Sequence, residues 1–238
     1  MSKVLILDEY ETIKKIKEGY SLARYGDGEF FRLLRNPKGI SKLQVFDKRL
    51  QKKLIVVFSN PLKRLLIGIP RMDNPKPWII NFNKGFNKFI ENKRAYKESI
   101  FVSAFISRPA LVGKDNQKYF DKVKTIWEDS EIVLINFNTD LLDHYLFKRC
   151  NVDTFIQITR RDCFAQYDDI LNECRKHYKK RKIFLVSAGP TATALAYDIA
   201  RDKEQCIDIG QIAFEYSLFK NEDNLKGWTS QNSYRRKK

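Results

Sequence analysis

Seven short apolar runs, rich in β-branched residues, limit what this chain can fold into more than any other feature. They are SLARYG (21–26), LLIGIP (65–70), IFVSAF (100–105), EIVLINF (131–137), TFIQIT (154–159), IFLVSA (183–188) and CIDIG (206–210). Each has the length of a strand and is nearly continuous in its apolar character, as strands buried on both faces are. Helical periodicity fills the intervals at 116–128, 139–148, 164–178 and 191–202. Strands alternating with helices of this length call for a mostly parallel sheet with helices on both faces, the α/β class. Nearer the start, Asp8 can cap a helix bearing Ile13 and Ile16 that Gly19 ends, and GEFFRLL (28–34) reads as the start of another. The stretch from Arg71 to Lys97, rich in Asn, Pro and aromatics, reads as an insertion holding at least one helix.

With 238 residues, 43% of them hydrophobic, and only 10 Gly and 7 Pro, the chain can bury a large core, and disordered or fibrous classes are excluded. No repeat interrupts it, so the simplest division is one domain over 1–226 and a basic tail, 227–238, expected to be disordered. The longest apolar runs fall short of the roughly 18 residues of a membrane span. Charged residues stand within the first ten positions, where a secretory signal would place its apolar stretch. Cys150, Cys163, Cys174 and Cys206 form no CxxC pair, and with only His144 and His177 to join them the spacing does not suit a zinc site. They read as reduced thiols of a cytoplasmic protein.

The formal charge is +16, and it is uneven. Residues 1–100 hold 22 basic and 10 acidic side chains, residues 101–234 hold 19 of each, and the last four are Arg-Arg-Lys-Lys. From Lys42 to Arg64 seven basic residues face Asp47 alone and are interleaved with Leu43, Val45, Phe46, Leu50, Leu54 and Ile55. Such a segment suits a solvated helix face over a core, or a surface for anionic lipid, acidic glycan or nucleic acid. The charge makes a nucleic-acid-binding α/β protein the alternative function, although no DNA- or RNA-recognition motif accompanies it.

In a parallel sheet, ligands bind beyond the carboxyl ends of the strands. Three loops there carry chemistry. In Arg24-Tyr25-Gly26-Asp27-Gly28-Glu29, the glycines permit a tight turn, and Asp27 and Glu29 place two hard oxygen ligands beside Arg24. Such a pair can hold Mg²⁺ or Mn²⁺ bridging a diphosphate, or simply cap the following helix. In Ser187-Ala188-Gly189-Pro190-Thr191, Gly189 admits a close backbone approach, Pro190 suits a first helical turn and Thr191 offers a hydroxyl, which makes either a phosphate seat or a plain strand-to-helix turn. Asp208-Ile209-Gly210-Gln211, followed by Glu215, supplies two carboxylates that can act as a base or position a sugar hydroxyl; they can equally be a helix cap and a surface residue. Arg108, after IFVSAF, and Arg160 with Arg161, after TFIQIT, add cations at the same strand ends.

Missing motifs narrow the chemistry. Gly26 and Gly28 fit a GxGxxG, but Phe31 takes the third position. No GxxxxGK[ST] loop and no GxSxG elbow are present, and His144 and His177, in no catalytic spacing, read as surface or helix residues.

ARYGDGEF, SRP, and LVSAGPTATALAYDIA followed by IDIGQIAFEY, in this order, resemble the GT-D fold glycosyltransferases, a bacterial family first described as a domain of unknown function. The likeness spans about residues 5–219. It implies a Rossmann-like single domain that transfers a sugar, typically from a UDP-linked donor, with Mn²⁺ or Mg²⁺ at the D-x-E motif. By that resemblance Asp27 and Glu29 are metal or diphosphate residues, Arg24 is a donor-site residue, and Gly189, Pro190 and Thr191 belong to the donor pocket. Ser187, Gly26, Gly28, Arg108, Arg160 and Gln211 complete the expected donor site, with Glu215 and Asp208 as candidate bases. Two departures stand out. A Gly-x-Gly-Asn-Asp-Leu stretch common in relatives reads NFNTDL in this chain, and the His that usually follows Asp-Ile-Gly is Gln211, which bonds but cannot titrate. The implied partners are a UDP-sugar and a glycan, glycoprotein or lipid-linked acceptor of surface polysaccharide or glycoprotein biosynthesis. The basic segment and tail would dock the enzyme at the anionic inner face of the cell membrane.

Overall fold

A computed structural model describes residues 5–26, 28–30, 44–70, 100–178 and 181–221. Asp27, the whole of the expected insertion at 71–97, the end of the 28–34 helix and the basic tail lie outside these residues.

All seven expected strands form. They are β1 (Ser21–Arg24), β2 (Leu65–Ile69), β3 (Ile100–Ser103), β4 (Glu131–Asn136), β5 (Asn151–Gln157), β6 (Ile183–Val186) and β7 (Gln205–Asp208). They make one sheet in the order β3-β2-β1-β7-β6-β4-β5, and every pairing is parallel. Alternate residues therefore feed opposite cores. Ala23, Ile67, Ile135 and Val186 point into one, and Leu22, Leu66, Leu134 and Leu185 into the other.

The first core lies under three helices, α2 (Lys48–Ser59), α4 (Tyr167–Lys176) and α5 (Pro190–Arg201). The second lies under α1 (Glu9–Lys17), α3 (Gln117–Lys124) and α6 (Ile212–Lys220). Their boundaries follow from side-chain chemistry. Asp8 and Glu11 close a reciprocal capping box on α1, and Asp47 and Asn116 cap α2 and α3. From Pro190 to Ile199 every residue of α5 is buried, and its alanines let it sit close on the sheet centre.

The basic segment resolves into α2, whose Leu50, Leu54, Val57 and Phe58 enter the core. Two of its cations have acidic partners. Lys53 meets Asp198 at 2.5 Å and Arg49 meets Asp168 at 2.5 Å. The helix expected over 139–148 forms instead as two 3₁₀ turns, Thr139–Asp143 and Tyr145–Phe147. Between them His144 is extended, its Nδ1 accepting the Leu146 N–H, so the capping side chain divides the segment.

The chain lays down β1, β2 and β3 outward in one direction, crosses to build β4 and β5 on the other side, and fills the gap with β6 and β7. β1 and β7 thus become neighbours whose continuations lead to opposite faces, β1 to α2 and β7 to α6. A crevice opens at such a reversal.

Candidate active site at the carboxyl edge of the sheet

Arg24, the last residue of β1, crosses this reversal point. Its Nε donates to the Asp208 carbonyl (2.8 Å) and its Nη2 to Asp208 Oδ1 (2.7 Å). Its Nη1 donates to Ser107 Oγ (2.6 Å) and to the Ala104 carbonyl (3.2 Å). Two glycines make room for it. A Cβ on Gly68 would stand 2.9 Å from Arg24 Cγ, and one on Gly210, where φ is +50°, would stand 1.9 Å from Nη2. The planar guanidinium fork serves several acceptors at once, which a lysine cannot reproduce.

This cluster pins four strand exits together. Gly210 N–H donates to Asp208 Oδ1 (3.0 Å), Ser187 Oγ donates to the Gly210 carbonyl (2.6 Å), and Thr193 of α5 donates to the Arg24 carbonyl (2.6 Å). Of the expected site residues, Arg24, Ser187 and Asp208 are thus brought together through Gly210 and Ser107. Sequence reasoning passed over Gly68 and Thr193. A glycine inside the apolar run LLIGI was the signal for a close approach.

Asp208 is enclosed. Burial pushes its carboxyl above the ordinary range, offset in part by Arg24 and then by the Gly210 N–H. With Oδ1 held by two donors, Asp208 has the environment of a positioning residue; the other candidate base is Glu215. It lies half-buried in the first turn of α6, one turn after Gln211, whose carbonyl accepts its N–H (2.9 Å). Gln211 precedes α6 without a side-chain cap bond.

In the D-x-E loop, Glu29 Oε2 accepts the Gly26 N–H at 2.7 Å, so this carboxylate closes its own turn at the strand end. A carboxylate has lone pairs for a backbone N–H and a cation together. Among the described residues no group of three or more His, Cys, Asp and Glu side chains forms a closed cage. Two hard oxygens, Glu29 with Asp27 beyond the described residues, suit an open Mg²⁺ or Mn²⁺ site completed by phosphate and water. The donor chemistry fits the metal that the motif implies.

The remaining expectations scatter more widely. Arg160 follows β5, the edge strand, and lies over the Phe137 ring at 5.5 Å. Arg108 is half-buried between two 3₁₀ turns, next to Ser107. Thr191 is fully buried, and its Oγ1 has no hydrogen-bond partner among the described residues. Burial raises the Cys150 and Cys163 thiols to about 11 and Cys174 to about 12, so none of these three is a thiolate nucleophile at neutral pH. His144, expected on a surface or a helix, is buried instead against α6. Its Nε2 lies 3.4 Å from Ser217 Oγ, and burial lowers its pKa to about 4. No described helix is long and apolar enough to cross a membrane.

Comparison with known proteins agrees with this architecture. Residues 22–234 match the family described as glycosyltransferase GT-D fold. A probable glycosyl transferase, Gly, of Streptococcus gordonii is 29% identical over 86% of this chain, and the glycosyltransferase GlyD of Streptococcus pneumoniae is 25% identical over 86%. The chain spans only 31% and 26% of the length of these two relatives. A solved structure described as domain of unknown function 1792 with a distinct glycosyltransferase fold superposes with a TM-score of 0.77 at 26% identity, covering 92% of this chain and 83% of that one. A new glycosyltransferase from Streptococcus sanguinis superposes with a TM-score of 0.71 at 25% identity, covering 91% and 85%.

Proposed function

Because this chain belongs to the family of glycosyltransferases with the GT-D fold, we propose that it is a metal-dependent enzyme moving a hexose from a UDP-sugar to a glycan, glycoprotein or lipid-linked acceptor. The observation that carries the reading is the seating of the loop that follows Arg24. The Arg24–Asp208 pair holds the start of the D-x-E loop at the reversal between β1 and β7, where α/β sheets take nucleotides.

Transfer asks for positioning and charge neutralisation more than for covalent chemistry. As the acceptor hydroxyl attacks the anomeric carbon, the bond from that carbon to the diphosphate oxygen breaks and UDP leaves with the electron pair. In an inverting displacement the hydroxyl proton passes to a carboxylate, a role that falls to Glu215. Asp208 keeps Arg24 in place. Ser187 and the Gly189–Thr191 turn place the N-terminus of α5, with the positive end of its dipole, against the donor phosphates. Asp27 and Glu29 would hold Mn²⁺ or Mg²⁺, which would neutralise the charge developing on the departing diphosphate.

The test is incubation of the full chain with a panel of UDP-hexoses, Mn²⁺ and candidate acceptors. UDP release that needs both sugar donor and metal is expected. Release from no UDP-hexose would overturn the reading.

A further inference from the structure

We infer that Asn136 and Asn138 are binding residues whose carboxamide N–H groups donate to uncharged oxygen acceptors of the nucleotide-sugar, an inference that rests on the proposed function above. Asn136 ends β4 and is 0% exposed; Asn138, two residues on, is 8% exposed. Asn136 Oδ1 accepts the Asn138 N–H (2.8 Å), and Asn138 Oδ1 accepts the Asp140 N–H (3.0 Å). These bonds fix both carboxamides, since an NH₂ group cannot accept a backbone N–H. The nitrogen of each is therefore turned away from its own turn, and among the described residues neither Nδ2 has a hydrogen-bond partner. A buried donor left unmade opposes folding, and buried polar groups in native proteins are otherwise almost always paired. Two in succession at one strand end mark a place where a partner arrives from outside.

Their position says what arrives. The Ile135 carbonyl accepts the Ser187 N–H (3.0 Å) and the Asn136 carbonyl accepts the Ile158 N–H (3.1 Å), so the pair sits between the exits of β6 and β5. β6 leads to α5 on one face, and β4 leads through the 3₁₀ turns to the other. The strand order thus reverses a second time between β4 and β6, at the same edge as the Arg24 cluster and on the far side of the Ser187–Thr191 turn, and such reversals are where α/β sheets take ligands. The chemistry narrows the ligand group further. A diphosphate draws cations, whereas neutral amide donors match the carbonyl oxygens of a base or the hydroxyls of a sugar. Serine or aspartate would close the same turn; only asparagine adds the NH₂.

The test compares the full chain with Asn136→Ser, Asn138→Ser and the near-isosteric Asn138→Asp by calorimetric titration of UDP and UDP-hexose with Mn²⁺ and by thermal unfolding. Each variant is expected to weaken UDP-hexose on the order of 10-fold, with a thermal midpoint at or above that of the parent. If UDP weakens equally, the acceptors are on the nucleoside; if UDP-hexose alone weakens, they are on the sugar. Parent-like affinity in the variants, or affinity lost only together with the thermal midpoint, would overturn this assignment and leave the proposed function standing. A parent chain that binds neither probe would overturn the proposed function and this inference with it.

Discussion

Arg24 and Asp208, 184 residues apart in the chain, meet in a 2.7 Å ion pair whose two side chains are only 14% and 4% exposed. The pair joins the first and last strands of the sheet at the edge where the crevice opens. Because burial, and not Arg24, dominates the Asp208 carboxyl, the pair is a device of geometry more than a source of stability.

Breaking it on one side leaves a buried charge without its counter-charge. Asp208→Asn is therefore expected to destabilise the fold by about 3–5 kcal/mol, measured by urea unfolding at pH 7. The double replacement Arg24→Met with Asp208→Leu is expected to cost less than the two single changes together. A loss under about 1 kcal/mol for Asp208→Asn would show that the edge is held by other contacts.

Gly210→Ala puts a methyl group where Arg24 Nη2 now lies, at a residue whose φ is +50°. The backbone penalty and the clash together are expected to cost about 3 kcal/mol or more. The guanidinium must then leave Asp208, so the variant should lose UDP binding even where it remains folded. Unchanged thermal midpoint and affinity would contradict the described packing.

Glu29→Gln keeps an oxygen able to accept the Gly26 N–H but removes the negative charge. It is expected to leave stability within about 1 kcal/mol of the parent while lowering Mn²⁺-dependent transfer by on the order of 100-fold. A Mn²⁺ titration of UDP release checks this. Retained transfer at the parental Mn²⁺ requirement would remove Glu29 from the metal site.

His144 supplies the pH dependence. Its folded pKa, about 4, lies below the unfolded value of about 6.5, so between these values the unfolded chain binds the proton and the folded chain does not. Stability is full above about pH 6.5 and is lost as pH falls toward 4, by up to about 3 kcal/mol. His144→Asn, which can still accept the Leu146 N–H, is expected to flatten the urea midpoint between pH 7.5 and 4.5. An equally steep profile in the variant would place the acid sensitivity elsewhere.

The strands were legible because each is an apolar run of strand length bounded by breakers. The D-x-E, Ser187–Thr191 and Asp208 loops were legible because glycine, proline and polar residues collect at strand ends. The pairing of Arg24 with Asp208 was not, since it depends on the strand order that sets β7 beside β1, and no local pattern encodes a contact across 184 residues. Gly68 was overlooked for the same reason, as its missing Cβ matters only to a side chain from the neighbouring strand. The division of 139–148 into two turns was hidden because helical periodicity says nothing of capping by His144. Asn136 and Asn138 read as a weakened glycine motif until burial showed two amide nitrogens without partners.

The measurement nearest the central claim is thermal unfolding of the full chain against a panel of nucleotide sugars, each with and without Mn²⁺. Saturating ligand at about 100 times its Kd adds about 2.7 kcal/mol to the folded state, equivalent to about 2–4 °C for each kcal/mol in a chain of this size. A rise of several degrees with a UDP-hexose, dependent on Mn²⁺ and absent with ADP- or GDP-sugars, is the predicted result. Midpoints unmoved by every nucleotide sugar in the presence of Mn²⁺ would contradict the account.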